Sequence, residues 1–351
     1  MANVQKQFEV FNEEIKLKRF EENSILREKR DIIRNKLTEK LPGIFQENGG
    51  ICPNFEFRDQ GSYEIGTGIK PIEGDYDIDQ GMYFKVSTDV YPDPVTLKKR
   101  VHKALEGHTD EVRIRRSCVT VFYHIKDEPI YHVDIAIYSD GSENVDGKSR
   151  IAKGKENSTQ EYCFWEVADP QALSDLIFSH FEGNNRAQFR RIVQYLKRWK
   201  DENFIPDGNG APLGIGLTLA ACYNLQPTYF DSFAGKPDDL SAAYKLVNSI
   251  LNRFTPIWDD DENKFVNRLV IKLPVEPGND LFEQMTNKQM EKLEENLRIL
   301  LEALSAASTD IDPVEACKKL QEVFGADFPV PETADTGKYH APAIASSSNS
   351  A

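Results

Sequence analysis

Asp59-Gln60-Gly61-Ser62-Tyr63 is followed by Gly74-Asp75-Tyr76-Asp77-Ile78-Asp79-Gln80-Gly81 and, well downstream, by Tyr131-His132-Val133-Asp134-Ile135-Ala136-Ile137-Tyr138. The two later stretches read as strands, in which residues i and i+2 point to one face. Asp77 and Asp79 then present carboxylates side by side, with Ile78 turned into the core. Adjacent carboxylates repel unless a cation neutralises them. Asp134 stands alone in an otherwise apolar strand, where a buried carboxylate is costly without a partner. If the two strands are neighbours, three carboxylates converge. Such a set of hard oxygen ligands suits magnesium, with triphosphate oxygens completing the shell, and a pair of ions so held can activate a hydroxyl and stabilise a departing pyrophosphate. Gly61-Ser62 supplies a turn whose backbone can approach phosphate closely and whose hydroxyl and N–H groups can donate to it. Neither a Gly-Ser pair nor an Asp-x-Asp is specific alone. The ordered combination, with a third Asp inside an apolar strand, is far more specific than its parts. Asp75, behind Gly74 at the strand entrance, reads as a turn or supporting residue.

Composition narrows the substrate. The chain has 351 residues, 40% hydrophobic and 28% charged, with a net charge of -14, a soluble globular balance with room for two lobes around a cleft. A protein that grips long DNA or RNA usually presents a basic surface; the acidic balance argues against such a substrate and leaves a mononucleotide open. No stretch approaches the roughly 18 unbroken apolar residues of a membrane helix. Met1 to Phe20 is charged and lacks a signal core. The five cysteines are dispersed without a C-x-x-C pair, as fits reduced thiols in the cytoplasm.

The expected organisation is a long N-terminal bridging helix in residues 1–50, a mixed α/β catalytic core in 51–169, a helical C-terminal lobe in 170–328 and a flexible tail in 329–351. Phe8, Phe11, Ile15, Leu17, Phe20, Ile25, Ile32, Ile33, Leu37 and Leu41 mark one helical stripe over 3–41, ended by Pro42-Gly43. Strands are expected at 55–58, 76–84, 112–121 and 131–138, with a helix near 95–105 between them, and residues 139–160 read as a polar surface loop. Helices are expected at 170–182, 184–202, 212–224, 238–254, 286–307 and near 312–324. Asp259-Asp260-Asp261-Glu262 reads as a solvated loop. The tail, rich in Ser, Ala, Pro and Thr, lacks the apolar surface to order itself.

The run Asp59-Gln60-Gly61-Ser62-Tyr63 with Asp77-Ile78-Asp79-Gln80-Gly81-Met82-Tyr83 resembles the bacterial cGAS/DncV-like nucleotidyltransferases, the CD-NTases of CBASS anti-phage systems, most closely their DncV-like branch. Val133-Asp134-Ile135 is similar to the strand of that family's third metal-binding aspartate. The resemblance implies an α+β fold: a polymerase-β-like core of mixed sheet with helices, plus a helical lobe. It implies that Asp77, Asp79 and Asp134 bind two Mg2+ ions, with Mn2+ as a substitute, and that Gln60, Gly61 and Ser62 contact the nucleotide. It further implies that Lys197, in Tyr195-Leu196-Lys197-Arg198-Trp199, reaches the triphosphate; read on its own, Lys197 is a solvated helix lysine. The family's serine near the start of the next helix is missing from Pro212-Leu213-Gly214-Ile215-Gly216, and Thr218 is the nearest hydroxyl. No cysteine–histidine cluster exists to build the zinc-binding insertion of animal DNA sensors.

The expected activity is therefore a cyclic di- or trinucleotide synthase acting on NTPs, ATP and/or GTP, with a downstream effector reached through the product. A template-independent RNA nucleotidyltransferase of the poly(A) polymerase or tailing type is the alternative, and a catalytically dead scaffold a third reading. The tail, ending in Ser350-Ala351, offers a small unhindered carboxylate of the kind that ubiquitin-like conjugation proteins act on in related systems.

Overall fold

A computed structural model describes residues 2–17, 22–72, 76–125, 128–205 and 210–332. In chain order its helices and strands are α1 (Gln5–Ile15), α2 (Glu22–Glu47), β1 (Phe55–Asp59), α3 (Gly61–Ile65), β2 (Tyr76–Phe84), α4 (Val95–Leu105), β3 (Glu111–Ile114), β4 (Val119–Ile125), β5 (Glu128–Ser139), β6 (Arg150–Lys153) and β7 (Phe164–Val167). There follow α5 (Pro170–His180), α6 (Gly183–Asn203), α7 (Gly214–Asn224), β8 (Tyr229–Asp231), β9 (Lys236–Pro237), α8 (Asp239–Leu251), β10 (Thr255–Asp259), β11 (Lys264–Arg268), α9 (Asn287–Thr309) and α10 (Pro313–Phe324). This is the expected α+β architecture. Strands run β1-β2-β5-β4-β3 across the main sheet, with β6 added to β5 and β7 to β6. Among the described strands only the central β2–β5 pair is parallel; its neighbours are antiparallel. The parallel pair needs a long crossover, supplied by α4 and the β3–β4 hairpin.

Alternation places Ile78, Met82 and Phe84 of β2 and Val133, Ile135 and Ile137 of β5 on one face, packed with Ile33, Leu37, Leu41 and Phe45 of α2 and Leu97 and Val101 of α4. The opposite face carries the motif aspartates, whereas Gln80 is buried on the core side. A second core gathers α1 and α5–α10. There Phe8 and Phe11 nest among Tyr195, Phe324 and Phe328, with ring centroids 5.1–6.1 Å from them. Beside them Asp239, fully buried, receives Arg191 at 2.7 and 2.8 Å and the Tyr195 hydroxyl at 3.1 Å.

Several sequence expectations need correction. The N-terminal stripe is not one helix. Lys16 is extended, Leu17 N–H donates to Gly68 O at 3.2 Å and Lys70 N–H to Ile15 O at 2.7 Å, so the chain leaves the helix to pair with the loop after α3. Consequently α1 packs in the helical core and α2 against the sheet. Pro42-Gly43 does not end α2, which continues to Glu47. An interior proline costs about 3 kcal/mol, but continuing the helix buries Ile44 and Phe45, worth about 2 kcal/mol each. The 112–121 strand is the β3–β4 hairpin, with its turn at 115–118. Residues 139–160 are not only loop: the polar run hides Ile151 and Ala152, both buried on β6. In the helical half, Asp169, Asp238, Thr286 and Asp312 cap α5, α8, α9 and α10 through side-chain hydrogen bonds, which is why those starts are sharp. The Asp259–Glu262 run forms the exposed turn of the β10–β11 hairpin. Among the described residues no helix is long and apolar enough to cross a membrane. Phe20, Asp75 and the tail from 333 lie outside the described residues.

Candidate active site

The β2–β5 register sets Asp79 directly opposite Asp134 and Asp77 opposite His132. All four side chains share the face away from the α2–α4 core, since Ile78 and Val133 between them are fully buried on the other side. Sequence parity therefore produces the cluster once the strands are parallel neighbours. One donor atom each from Asp77, His132 and Asp134 fall within 4.8 Å of one another. Thr120, opposite Asp134 on β4, donates its hydroxyl to Asp134 Oδ1.

Charge in this cluster is unbalanced. Burial, reinforced by Asp77 and then Asp134, pushes the Asp79 carboxyl up to about 8, with His132 and Lys197 opposing. Burial and Asp77 also raise Asp134. The Cys118 thiol, beneath Thr120, is pushed up to about 12 by burial and by Asp134. Carboxylates that resist ionisation together are short of a cation, and their hard oxygens at this spacing fit a divalent ion such as Mg2+.

Gly61 closes one side of the cluster. Its φ is +73°, and a Cβ there would stand 2.0 Å from Asp79 Oδ2, so the glycine both makes the left-handed turn and leaves room for the carboxylate. Ser62 follows at the start of α3, and its carbonyl accepts the N–H groups of Gly66 and Thr67 at 3.0 Å each. The Gln60 carboxamide faces the sheet and receives the Tyr138 hydroxyl at 3.3 Å. Tyr138 stacks on Tyr83 with centroids 4.4 Å apart, and Arg58 lies 4.0 Å over Tyr83.

The turn is gripped from several directions. From α2, Arg30 meets Asp59 at 2.7 and 2.8 Å and Arg34 at 2.7 Å, fixing the end of β1. Arg27, one turn earlier, pairs with Tyr63. From α5, the Ser174 hydroxyl donates to Glu64 Oε2 at 2.7 Å. From α6, Lys197 Nζ donates to Thr67 O at 3.0 Å and lies 3.3 Å from Thr67 Oγ1. Burial and Lys200 bring the Lys197 ammonium down to about 8, against the pull of Asp79. Lys197 is thus no solvated helix lysine. The Thr218 hydroxyl donates to Gly214 O at 2.9 Å inside its own buried helix, so Thr218 does not replace the missing serine. A cavity of about 1,610 Å³, lined by Ser62, Tyr63, Arg27 and Gln194 among others, reaches the turn but none of the three aspartates.

Sequence reasoning missed His132, although the i, i+2 rule that paired Asp77 with Asp79 also pairs His132 with Asp134. The grip of α2 on Asp59 and the partnership of Lys197 with Thr67 join residues remote in sequence and carried no local signal.

Residues 55–138 match the family described as cyclic GMP-AMP synthase DncV-like, nucleotidyltransferase domain. The whole fold is similar to the crystal structure of Vibrio cholerae DncV cyclic AMP-GMP synthase, a prokaryotic cGAS homolog, over 94% of this chain and 98% of that one, at 17% identity and a TM-score of 0.67. It is similar to the Escherichia coli DncV 3'-deoxy GTP bound form over 90% and 93% of the two chains, at 18% identity and TM-score 0.63. It is also similar to the Bradyrhizobium diazoefficiens CD-NTase CdnG in complex with GTP, over 92% and 96%, at 15% identity and TM-score 0.65. These likenesses establish the fold, and the family match covers the segment that holds the Gly61 turn and all three aspartates. The 55–138 segment therefore matches a DncV-like nucleotidyltransferase domain, and the chain that carries it has the fold of the bacterial cGAS/DncV-like enzymes.

Proposed function

We propose that this enzyme joins NTPs, ATP and/or GTP, into a cyclic di- or trinucleotide that signals to a downstream effector in anti-phage defence. One observation carries the reading: Asp77, Asp79 and Asp134 share one sheet face in a fixed parallel register, with Gly61 against Asp79. The related Vibrio cholerae DncV has been solved with a linear intermediate, 5' pppA(3',5')pG, and that two-step course suits a site able to receive its own product a second time.

Each residue has a part. Asp77, Asp79 and Asp134 hold the divalent ions, Mg2+ or Mn2+. Divalent ions held there would supply positive charge for activating the attacking hydroxyl and for stabilising the departing pyrophosphate. Gly61 admits the triphosphate close to the backbone, and Ser62 donates to it. Lys197 keeps the turn in place through Thr67, and its remaining N–H is directed to phosphate. Gln60, held by Tyr138, orients the turn; the Tyr83–Tyr138 stack supports it from the sheet.

Incubation of the purified protein with all four NTPs and Mg2+ or Mn2+, followed by mass spectrometry of phosphatase-resistant products, tests the reading. A cyclic product is expected. Incorporation of label from ATP only when RNA is added would instead establish the RNA-tailing alternative, which the charge of -14 disfavours. Conjugation of the C-terminus by ubiquitin-like proteins remains part of the proposal. Deleting residues 335–351 should leave basal synthesis intact and abolish any stimulation by co-expressed conjugation proteins.

A further inference from the structure

His132 stands beside the carboxylates, and the roles above leave it without a task. Its Nε2 lies 3.2 Å from Asp77 Oδ1, and its side chain is only 13% exposed. The ring is wedged against Phe122 of β4, with centroids 5.8 Å apart, and it shares its sheet face with Asp134. Around an octahedral ion with bonds of about 2.1–2.2 Å, adjacent donor atoms are about 3.0 Å apart and opposite ones about 4.3 Å. The 3.2 Å separation of His132 and Asp77 is close to an octahedral edge. The 4.8 Å limit on the whole set requires only a small contraction to reach the diagonal.

We propose that His132 is a direct nitrogen ligand of this metal centre. The centre then has a mixed nitrogen–oxygen donor set that favours a first-row transition ion, Mn2+, over Mg2+ more than carboxylates alone would. Mg2+ is served best by oxygen and water, whereas imidazole raises affinity for transition ions. The neighbours allow this role, because Phe122 limits the ring's swing and the register fixes its height opposite Asp77. The proposal rests on Asp77 and Asp134 being metal ligands, and the test separates the two claims.

The probe is Mn2+ added to the full-length protein, read by electron paramagnetic resonance. Electron spin-echo modulation of the wild type should show a bound imidazole nitrogen, with the pattern changing when histidine is labelled with 15N. His132→Asn should lose that modulation, and its Mn2+ affinity should fall about tenfold. Mg2+ affinity, measured by competition, should change by less than about twofold, so the Mn2+/Mg2+ ratio should fall. Bound Mn2+ without nitrogen modulation in the wild type would overturn the proposal, leaving His132 to position Asp77 by a hydrogen bond. This measurement needs no variant and stands even if His132→Asn folds poorly. An unchanged Mn2+/Mg2+ ratio in folded His132→Asn would overturn it too. The metal reading itself is checked with Asp134→Asn: if that variant binds Mn2+ as tightly as the wild type, the carboxylates are not ligands and both claims fall together.

Discussion

Gly61→Ala is the sharpest perturbation of the site, because its effect follows from two features of the local geometry. The backbone sits at φ +73°, where a side chain brings about 1–2 kcal/mol of strain. The new Cβ would lie 2.0 Å from Asp79 Oδ2, 2.8 Å from its Cγ and 2.9 Å from its Cβ. Ordinary contact begins at 3.4 Å, so the carboxylate oxygen must retreat by about 1.4 Å or the turn must move by as much. Asp79 has little room, since Ile78 beside it is buried and Asp134 stands opposite. The strain alone lowers the melting temperature by a few degrees in a chain of this size. Displacing a catalytic group by about 1 Å removes about 100-fold in rate. The expectation is therefore a folded variant, cooperative in thermal melts, whose pyrophosphate release falls at least 100-fold. Gly61→Ala with turnover within threefold of the wild type would refute the argument that this glycine makes room for Asp79.

Three further outcomes follow from the same geometry. Asp77→Asn with Asp79→Asn should abolish product formation while raising the metal-free melting temperature by a few degrees, because burial and Asp77 raise the Asp79 carboxyl so that folding at neutral pH must bury its charge or take up a proton; calorimetry beside a turnover assay checks both signs. Lys197→Ala should raise the Michaelis constant for NTP and lower stability by about 1–3 kcal/mol, since the Thr67 carbonyl loses its donor, whereas Ser62→Ala should change NTP use alone; denaturant titrations with steady-state kinetics separate them. Asp140 supplies a pH signature: burial alone would raise its carboxyl, but hydrogen bonds from Lys85 and Ser142 bring it from 3.8 down to about 2. A carboxyl depressed in the folded state stabilises above its unfolded value and loses that stabilisation as pH falls toward 2. Asp140→Asn should therefore cost about 1 kcal/mol at pH 5, after allowance for solvent screening, with the difference from wild type closing between pH 4 and pH 2 in denaturant titrations.

Legibility followed the locality of the signal. The helices after Pro170 could be read because periodicity and caps are short-range: Asp169 before Pro170 and Asp312 before Pro313 announce their helices within a few residues. Periodicity could not show the break at Lys16, because Phe8, Phe11 and Ile15 on one side and Ile33, Leu37 and Leu41 on the other are both helical stripes. What divides them is a tertiary bond, Leu17 to Gly68. Pro42 misled for the opposite reason, as a strong local rule yielded to the burial of Phe45. The carboxylate cluster was legible because a strand's period of two is exact, yet the same period would have revealed His132 had it been applied to β5 as it was to β2.

The connections of the Gly61-Ser62 turn draw on both of the fold's cores. The turn carries no stabilising core of its own: only Ile65 of α3 is buried. Its position is set from the sheet side by Arg30 and Arg34 on Asp59 and from the helical side by Ser174 on Glu64 and Lys197 on Thr67. Gln194 adds a bond to Gly68 O at 3.1 Å, and its side-chain oxygen receives Asn12 of α1 at 2.7 Å. The carboxylates, by contrast, are fixed entirely within the sheet by the β2–β5 register. The turn of the candidate site is thus placed by contacts from both cores, while the carboxylate cluster belongs to one. A shift of the helical core relative to the sheet would therefore move Ser62 against Asp79 while the β2–β5 register kept the aspartates in place.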